Sequence, residues 1–404
     1  MRLFMAIYLF YKKILNEICM LQLTQAIPLS LYIHLPWCVR KCPYCDFNSH
    51  VKPEELPEQE YVAALKADFD QHLPALWGRS LVSIFFGGGT PSLFSASAIE
   101  DVLNHIRTRI RCQPDMEVTL EANPGTLDEA RFRGFRLAGV NRLSIGVQSL
   151  QDEKLKALGR IHDRDYALRA IDTAIKVGFD NFNLDFMHGL PKQTISDALL
   201  DLQDGLAFTP PHLSWYQLTI EPNTFFHQQP PQLPSDDLLW AIQEAGQIEI
   251  QTAGLAQYEI SAYAAPNKQC RHNLNYWQFG DYLGIGAGAH SKLTDMHAQT
   301  ISRHWQVKNP KDYLNPQKNI TGRHEILTPA AIGFEFMLNA LRLTQGVAAE
   351  LFSARTGLEL TLYKDALKFL RDKKLLINDE SRLQTTELGQ RFLNDVLSLF
   401  LPQE

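Results

Sequence analysis

Between residues 29 and 220, six short apolar runs alternate with stretches of helical periodicity, and only a few residues join each to the next. LSLYIHL (29–35), LVSIFF (81–86), MEVTLEA (116–122), NRLSIGVQ (141–148), FNLDFMHG (182–189) and LSWYQLTI (213–220) read as strands. Helical patterns fill 58–76, 95–110, 127–138, 152–177 and 193–207. Alternation of this kind predicts an α/β fold with a parallel sheet and right-handed crossovers. Six consecutive units favour a barrel, whole or partial, over an open sheet.

Beyond the sixth strand the pattern changes. EPNTFFHQQPPQLPSDD (221–237) is a Pro-rich loop long enough to be a lid or an excursion. A helical stretch (238–254) and LAQYEISAYA (255–264) follow, then the aromatic, Gly-rich CRHNLNYWQFGDYLGIGAGAH (270–290). After about residue 325, helices and a hairpin near 375–386 suggest a smaller α+β, winged-helix-like module. Its ten Lys and Arg against eleven Asp and Glu between 321 and 404 argue for packing or partner docking rather than DNA binding. The expected division is an N-terminal extension (1–28), a barrel (29–265), a connecting region (266–324) and a C-terminal domain (325–404). The apolar start MRLFMAIYLFYKK is too interrupted by charge for a spanning helix and has no clear cleavage site. It reads as an over-long start or a loose extension, with a membrane-surface anchor as the alternative.

Net charge is −6, which weighs against nucleic acid as a partner. Six cysteines in 404 residues are no disulfide framework. They indicate a reducing, cytoplasmic compartment. Three of them, Cys38, Cys42 and Cys45, crowd into WCVRKCPYCDF just after the first strand. Zinc is a poor fit: structural sites are four-coordinate, usually with paired C-x2-C knuckles. No fourth ligand is obvious, since strand geometry aims His34 and His50 unpredictably. A [4Fe–4S] cluster is ligated by thiolates, and three protein ligands leave one iron open to a small molecule.

Other polar residues fall where such a ligand would need them. Gly87, Gly88 and Gly89 follow the second strand and let backbone approach a ligand. Glu121 and Gln148 end the third and fourth strands, and Asp185 lies in the fifth. In a βα barrel functional side chains collect at the C-terminal ends of the strands. Buried charges there need partners, supplied either by neighbouring side chains or by one polar ligand.

YIHLPWCVRKCPYC resembles the cluster motif of radical S-adenosylmethionine (SAM) proteins. The resemblance implies a partial (β/α)6 barrel of the TIM type. It also implies SAM bound through its amino and carboxylate groups to the open iron, and an external reductant that allows cleavage to a 5′-deoxyadenosyl radical. It further assigns Gly87 to Gly89 to the methionyl amino group and places Tyr32 and Tyr44 beside cofactor and cluster. Glu121, Gln148, Arg160 and Asp185 become polar SAM contacts. Arg160, in LGRIH, suits a carboxylate because its fork can pair bidentately.

EANPGT, SIGVQS, GRIH, HGLP and SWYQLTIEPNT narrow the resemblance to the subgroup of oxygen-independent coproporphyrinogen III dehydrogenases and radical SAM haem chaperones. The dehydrogenase pattern continues to a fourth cysteine where this chain has Phe47, and the chaperone pattern H-N-x-x-Y-W is matched by HNLNYW (272–277). The resemblance therefore favours a chaperone that binds haem and passes it to acceptor haemoproteins, plausibly respiratory enzymes. Oxidative decarboxylation of coproporphyrinogen III is the alternative. A plain electron-transfer cluster protein needs neither an open iron nor a polar barrel mouth. His272 is a candidate axial haem ligand, with Cys270 and Tyr276 as rivals and Trp277 as a packing wall. The plainer reading of this stretch is a buried aromatic cluster whose His caps a backbone group.

Overall fold

The structure, a computed structural model, describes residues 21–126 and 128–402. The readings of residues 1–20 lie outside the described residues. The six expected strands form as β1 (Leu29–Leu35), β2 (Ser80–Gly88), β3 (Arg111–Ala122), β4 (Arg142–Gln148), β5 (Phe182–His188) and β6 (His212–Gln217). They are neighbours in that order and all parallel. Helices α1 (Glu58–His72), α2 (Ala96–Arg107), α3 (Glu129–Ala138), α4 (Asp152–Ala157), α5 (Arg164–Val177) and α6 (Ile195–Leu206) fill the crossovers. Local chemistry fixes several of their starts. Ser95 accepts from the Ala98 amide, and Thr194 and Asp197 form a capping box at α6; caps of this kind contribute about 1 kcal/mol each.

Each strand carries two sequences at once. Its outward residues are apolar and bury beneath the helices: Leu31 and Ile33, Ile84 and Phe86, Val118 and Leu120, Leu143 and Ile145, Leu184 and Phe186, Leu213 and Trp215. The alternate residues turn to the concave side and are largely polar. They include His34 on β1, Glu121 on β3, Arg142 and Ser144 on β4, Asn183 and Asp185 on β5, and His212 and Ser214 on β6, all lining one cavity. Period-two alternation on a curved sheet thus produces an apolar shell and a polar interior.

The sheet extends further than the six units. After α7 (Asp236–Thr252), β7 (Ala256–Glu259) and β8 (Ala262–Ala264) add antiparallel strands beside β6. Helix α8 (Arg271–Trp277) leads into β9 (Asp281–Ile285), which pairs parallel with β1, while β10 (His290–Asp295), β11 (Thr300–Gln306) and β12 (Thr321–Ile326) continue antiparallel. The result is one 12-stranded sheet in the order β12-β11-β10-β9-β1-β2-β3-β4-β5-β6-β8-β7, with β12 and β7 as its edges. Residues 266–324, expected as a connecting region, therefore complete the sheet on the far side of β1. Gly and aromatic residues conceal short strands whose partner is some 250 positions away in the chain.

Residues 21–28 differ from expectation too. Leu21, Leu23 and Ile27 are buried in a second apolar core with Phe336, Phe352 and Leu370 of the C-terminal module. The Gln22 amide donates to the Gly357 carbonyl, and the Leu23 amide to Gln299 Oε1. This segment is a strap between sheet and C-terminal module. In that module, α9 (Pro329–Ala340), α10 (Glu350–Thr356) and α11 (Lys364–Asp372) pack around a small ladder joining Val347–Ala348 to Arg382–Leu383, beside the bridge between Leu376 and Thr385. Among the described residues no helix is long and apolar enough to cross a membrane.

Candidate SAM, cluster and haem sites

Two adjoining cavities open on the concave side of the sheet. The smaller, about 490 Å³, is lined by Cys38, Cys42 and Cys45 together with Tyr44, Gly88, Gly89, Glu121, Gln148, Arg160 and Asp185. The larger, about 910 Å³, runs beside β1 and α8 and takes in Tyr32, His272, Tyr276 and Trp277. Gly88, Glu121 and Asp185 belong to both. Both volumes lie in the range of small-molecule sites.

The cysteine loop is held from several sides. The Gly89 amide donates to Leu35 O, the Thr90 amide to Trp37 O, the His50 amide to Pro36 O and the Phe226 amide to Pro43 O. Phe226 belongs to the Pro-rich stretch expected as a lid; it packs with Met187 and Leu218 beneath Tyr44. Gly159 has φ +69°, and a Cβ there would lie 2.7 Å from Pro43 Cδ. The Leu-Gly-Arg turn thus abuts the loop and brings the Arg160 guanidinium to 3.6 Å from Cys42 Sγ, while a second donor reaches the Gly146 carbonyl at 3.1 Å.

The three thiols are free and half-buried. Burial pushes Cys38 and Cys45 up, against the partial relief of hydrogen bonds from Thr90 to the former and Ser49 to the latter. Among the described residues no group of three or more His, Cys, Asp or Glu side chains is placed to hold a single metal ion. A [4Fe–4S] cluster spreads its thiolates over different irons, and three free thiols around a cavity suit it.

The polar wall is set by the strand ends. Glu121 accepts from the Gly88 amide at 3.1 Å. Burial and then the neighbouring Asp185 push its carboxyl up to about 8. Asp185 accepts from Ser144 and Asn183, and burial raises it too. Gln148 ends β4 with φ +60°, and its Oε1 is buried with no partner among the described residues. A strained backbone here presents an unsatisfied acceptor at the wall of the smaller cavity. Gly87 lines neither cavity, since a Cβ there would meet the Tyr32 ring at 2.9 Å. Tyr32 lines the larger cavity rather than the cysteine-lined one and bonds His34 Nδ1 at 3.0 Å.

The pH dependence of stability follows from Glu121. Its carboxyl keeps a proton to higher pH in the folded chain than in the unfolded one, so the folded state binds more protons between about 4.5 and about 8. Stability then falls as pH rises through that window. For cluster-free protein we expect a loss of about 1 kcal/mol between pH 7 and 8.5. Urea melts at the two values check this, and Glu121→Gln should flatten the difference. An equal slope in the variant would refute the assignment.

Around α8 the structure departs from a simple ligand picture. His272 is buried, with Nδ1 2.9 Å from Ser83 Oγ and Nε2 2.8 Å from Tyr276 Oη. Both ring nitrogens are engaged, and burial lowers the imidazole to about 3. Coordination of iron by His272 therefore requires Tyr276 to give up its bond. Cys270 lines neither cavity; its thiol faces Glu117 Oε1 at 3.5 Å. Trp277 lies against the Arg342 guanidinium at 4.3 Å.

Two residues not singled out in the sequence organise this region. Glu117 accepts from the amides of Arg271 and His272, both at 3.1 Å, and so fixes the start of α8. Arg142 lines the larger cavity from the foot of β4. The signal was present: charged residues at Glu117 and Arg142 interrupt strands that otherwise read as buried.

The radical SAM superfamily model matches residues 32–204, and the HemN C-terminal domain model matches residues 327–392. A "Heme chaperone HemW" of Haemophilus influenzae is 48% identical over 386 residues, covering 93% of this chain and 99% of its own. The Escherichia coli protein of that name is also 48% identical, with coverage of 93% and 99%. The chain belongs to the HemW family. The Bacillus subtilis member is 33% identical over 92% of this chain. The solved coproporphyrinogen III oxidase HemN of Escherichia coli superposes with a TM-score of 0.79 at 24% identity, covering 93% of this chain and 90% of that one. At that identity the likeness speaks for the fold alone, an α/β radical SAM fold with a C-terminal domain. Membership of a radical SAM family implies a [4Fe–4S] cluster and SAM, and the free thiols beside the unpartnered Gln148 acceptor fit them.

Proposed function

We propose that this protein is a cytoplasmic haem chaperone: it binds haem in the larger cavity, beside a [4Fe–4S] cluster and SAM in the smaller, and passes it to acceptor haemoproteins such as respiratory enzymes. The observation that carries this reading is the adjacency of the two cavities. One is ringed by three free thiols, and the other is walled by aromatic side chains of β1, β2 and α8 large enough to cover a flat macrocycle. Cys38, Cys42 and Cys45 would hold the cluster. When bound, it would supply an iron with a free position for the amino and carboxylate groups of SAM and one-electron chemistry drawn from an external reductant. Glu121 and Gln148 orient the methionyl end, Arg160 pairs with its carboxylate, and Asp185 accepts from the ribose hydroxyls. Gly88 and Gly89 bring backbone to the ligand. Phe47, 57% exposed, stands at the rim of both cavities where the dehydrogenase pattern has a fourth cysteine.

The test is anaerobic reconstitution of the cluster, then haem titration and product analysis on the same sample. The expected result is a saturable shift in haem absorbance and no protoporphyrinogen IX from coproporphyrinogen III with SAM and reductant. Formation of that product would establish the decarboxylase reading instead, and absence of a haem shift would reject the chaperone reading.

A further inference from the structure

Arg142 is an anomaly of the barrel interior. Its side chain is 2% exposed, yet it lines the larger cavity. A guanidinium carries five N–H donors. Among the described residues Arg142 makes no hydrogen bond, and its Nε is buried without a partner. Its nearest carboxylate, Glu117, lies 4.0 Å away with both oxygens already accepting from the start of α8. Asp185 is committed to Ser144 and Asn183. An interior cation held by one long ion pair and by no hydrogen bond is a costly arrangement in a protein.

The neighbouring cations differ. Lys292 is paired with Asp281 at 2.9 Å, and Arg303 binds Glu335 through Nε and Nη2. Arg160 sits in the cysteine-lined cavity, which Arg142 does not reach. Among the described residues Arg142 is thus the buried cation of this cavity without a hydrogen bond, whereas Lys308 is exposed to solvent. The planar fork of Arg142 matches a carboxylate. The same cavity carries Tyr32, Phe85, Tyr276 and Trp277, a wall suited to a macrocycle.

Building on the haem reading above, we propose that Arg142 is the anchor for a propionate carboxylate of the tetrapyrrole. The macrocycle packs against the aromatic wall and one propionate points into the barrel toward β4. Orientation of the cargo is then set by a charge at the base of the cavity, and the axial ligand need not supply it.

Reconstituted full-length protein is titrated with iron protoporphyrin IX and with its dimethyl ester, using wild type, Arg142→Gln and Arg142→Lys. SAM is titrated separately by calorimetry. Arg142→Gln should weaken haem binding roughly 10- to 100-fold, and Arg142→Lys less. The ester should bind wild type as weakly as haem binds Arg142→Gln, with no further loss in the variant. SAM affinity should not move. Equal affinity of wild type for acid and ester overturns the proposal without any variant having to fold. So does a variant that weakens SAM binding and spares haem. If wild type binds neither tetrapyrrole, the haem reading itself fails and this proposal with it.

Discussion

Asp281→Asn is expected to lower the unfolding free energy by about 3–5 kcal/mol. Asp281 opens β9 with its side chain fully buried. It accepts from Lys292 Nζ at 2.9 Å, Arg79 Nη1 at 2.9 Å, and the amide and hydroxyl of Thr294 at 2.9 Å. Burial alone would raise the carboxyl, but Lys292 and Arg79 outweigh it and hold it below the usual range. The amide variant keeps the shape and removes the charge. Lys292, itself 2% exposed at the wall of the larger cavity, would then face Arg79 and Arg303 with the Phe279 ring and carbonyl, the amide oxygen at 281 and the more distant Glu335 as its partners. Such a lysine loses its proton or draws in water, and both are costly. Urea unfolding of wild type and variant measures the loss. Adding Lys292→Met to Asp281→Asn should recover part of it, because the buried lysine charge is gone and only Arg79, which keeps its bond to the Ile27 carbonyl, has lost an ionic partner. A loss below about 1 kcal/mol would mean that water already reaches this pair.

That cluster lies in the part of the fold least legible from sequence. β1 to β6 could be read because each is an apolar run bounded by turns and followed by a helix of matching length. β9 to β12 could not: GDYLGIGAGAH mixes glycine with isolated apolar residues, and the reason it forms a strand is the edge of β1, a partner that no local window contains. The cysteines were legible because three thiols in eight residues have few other uses. Glu121, Gln148 and Asp185 were legible as polar ends of strands. Tyr32 and Gly87 were assigned to the cysteine-lined cavity by resemblance; Tyr32 shares the concave face with His34 but lines the larger cavity, and Gly87 packs against its ring. The alternation was written in the sequence all along, in Glu117-x-Thr119-x-Glu121, Arg142-x-Ser144 and Asn183-x-Asp185. Such a polar interior is unusual for a barrel, where branched apolar side chains generally fill the core.

The polar interior also sets the second large effect. Glu117→Gln should cost roughly 3 kcal/mol and loosen α8. The carboxylate receives the Arg271 amide on one oxygen and the His272 amide and Cys270 thiol on the other. A glutamine retains one acceptor and turns an NH₂ toward a backbone donor, so at least one buried N–H is left without a partner. It also removes the one carboxylate within 4.0 Å of the Arg142 guanidinium. Both losses act on a single element. α8 is seven residues long, too short to hold its form without tertiary contacts. It carries His272, Tyr276 and Trp277 into the larger cavity. Amide exchange should therefore quicken selectively in residues 271–277, and haem affinity should fall with it. Iron content after reconstitution should not change, since Glu117 lies outside the cysteine-lined cavity. If exchange in α8 were unaltered while haem affinity fell, Glu117 would act on the cargo directly or through Arg142. Loss of iron together with haem would instead mean that the two cavities are coupled through β3, whose Glu121 borders both.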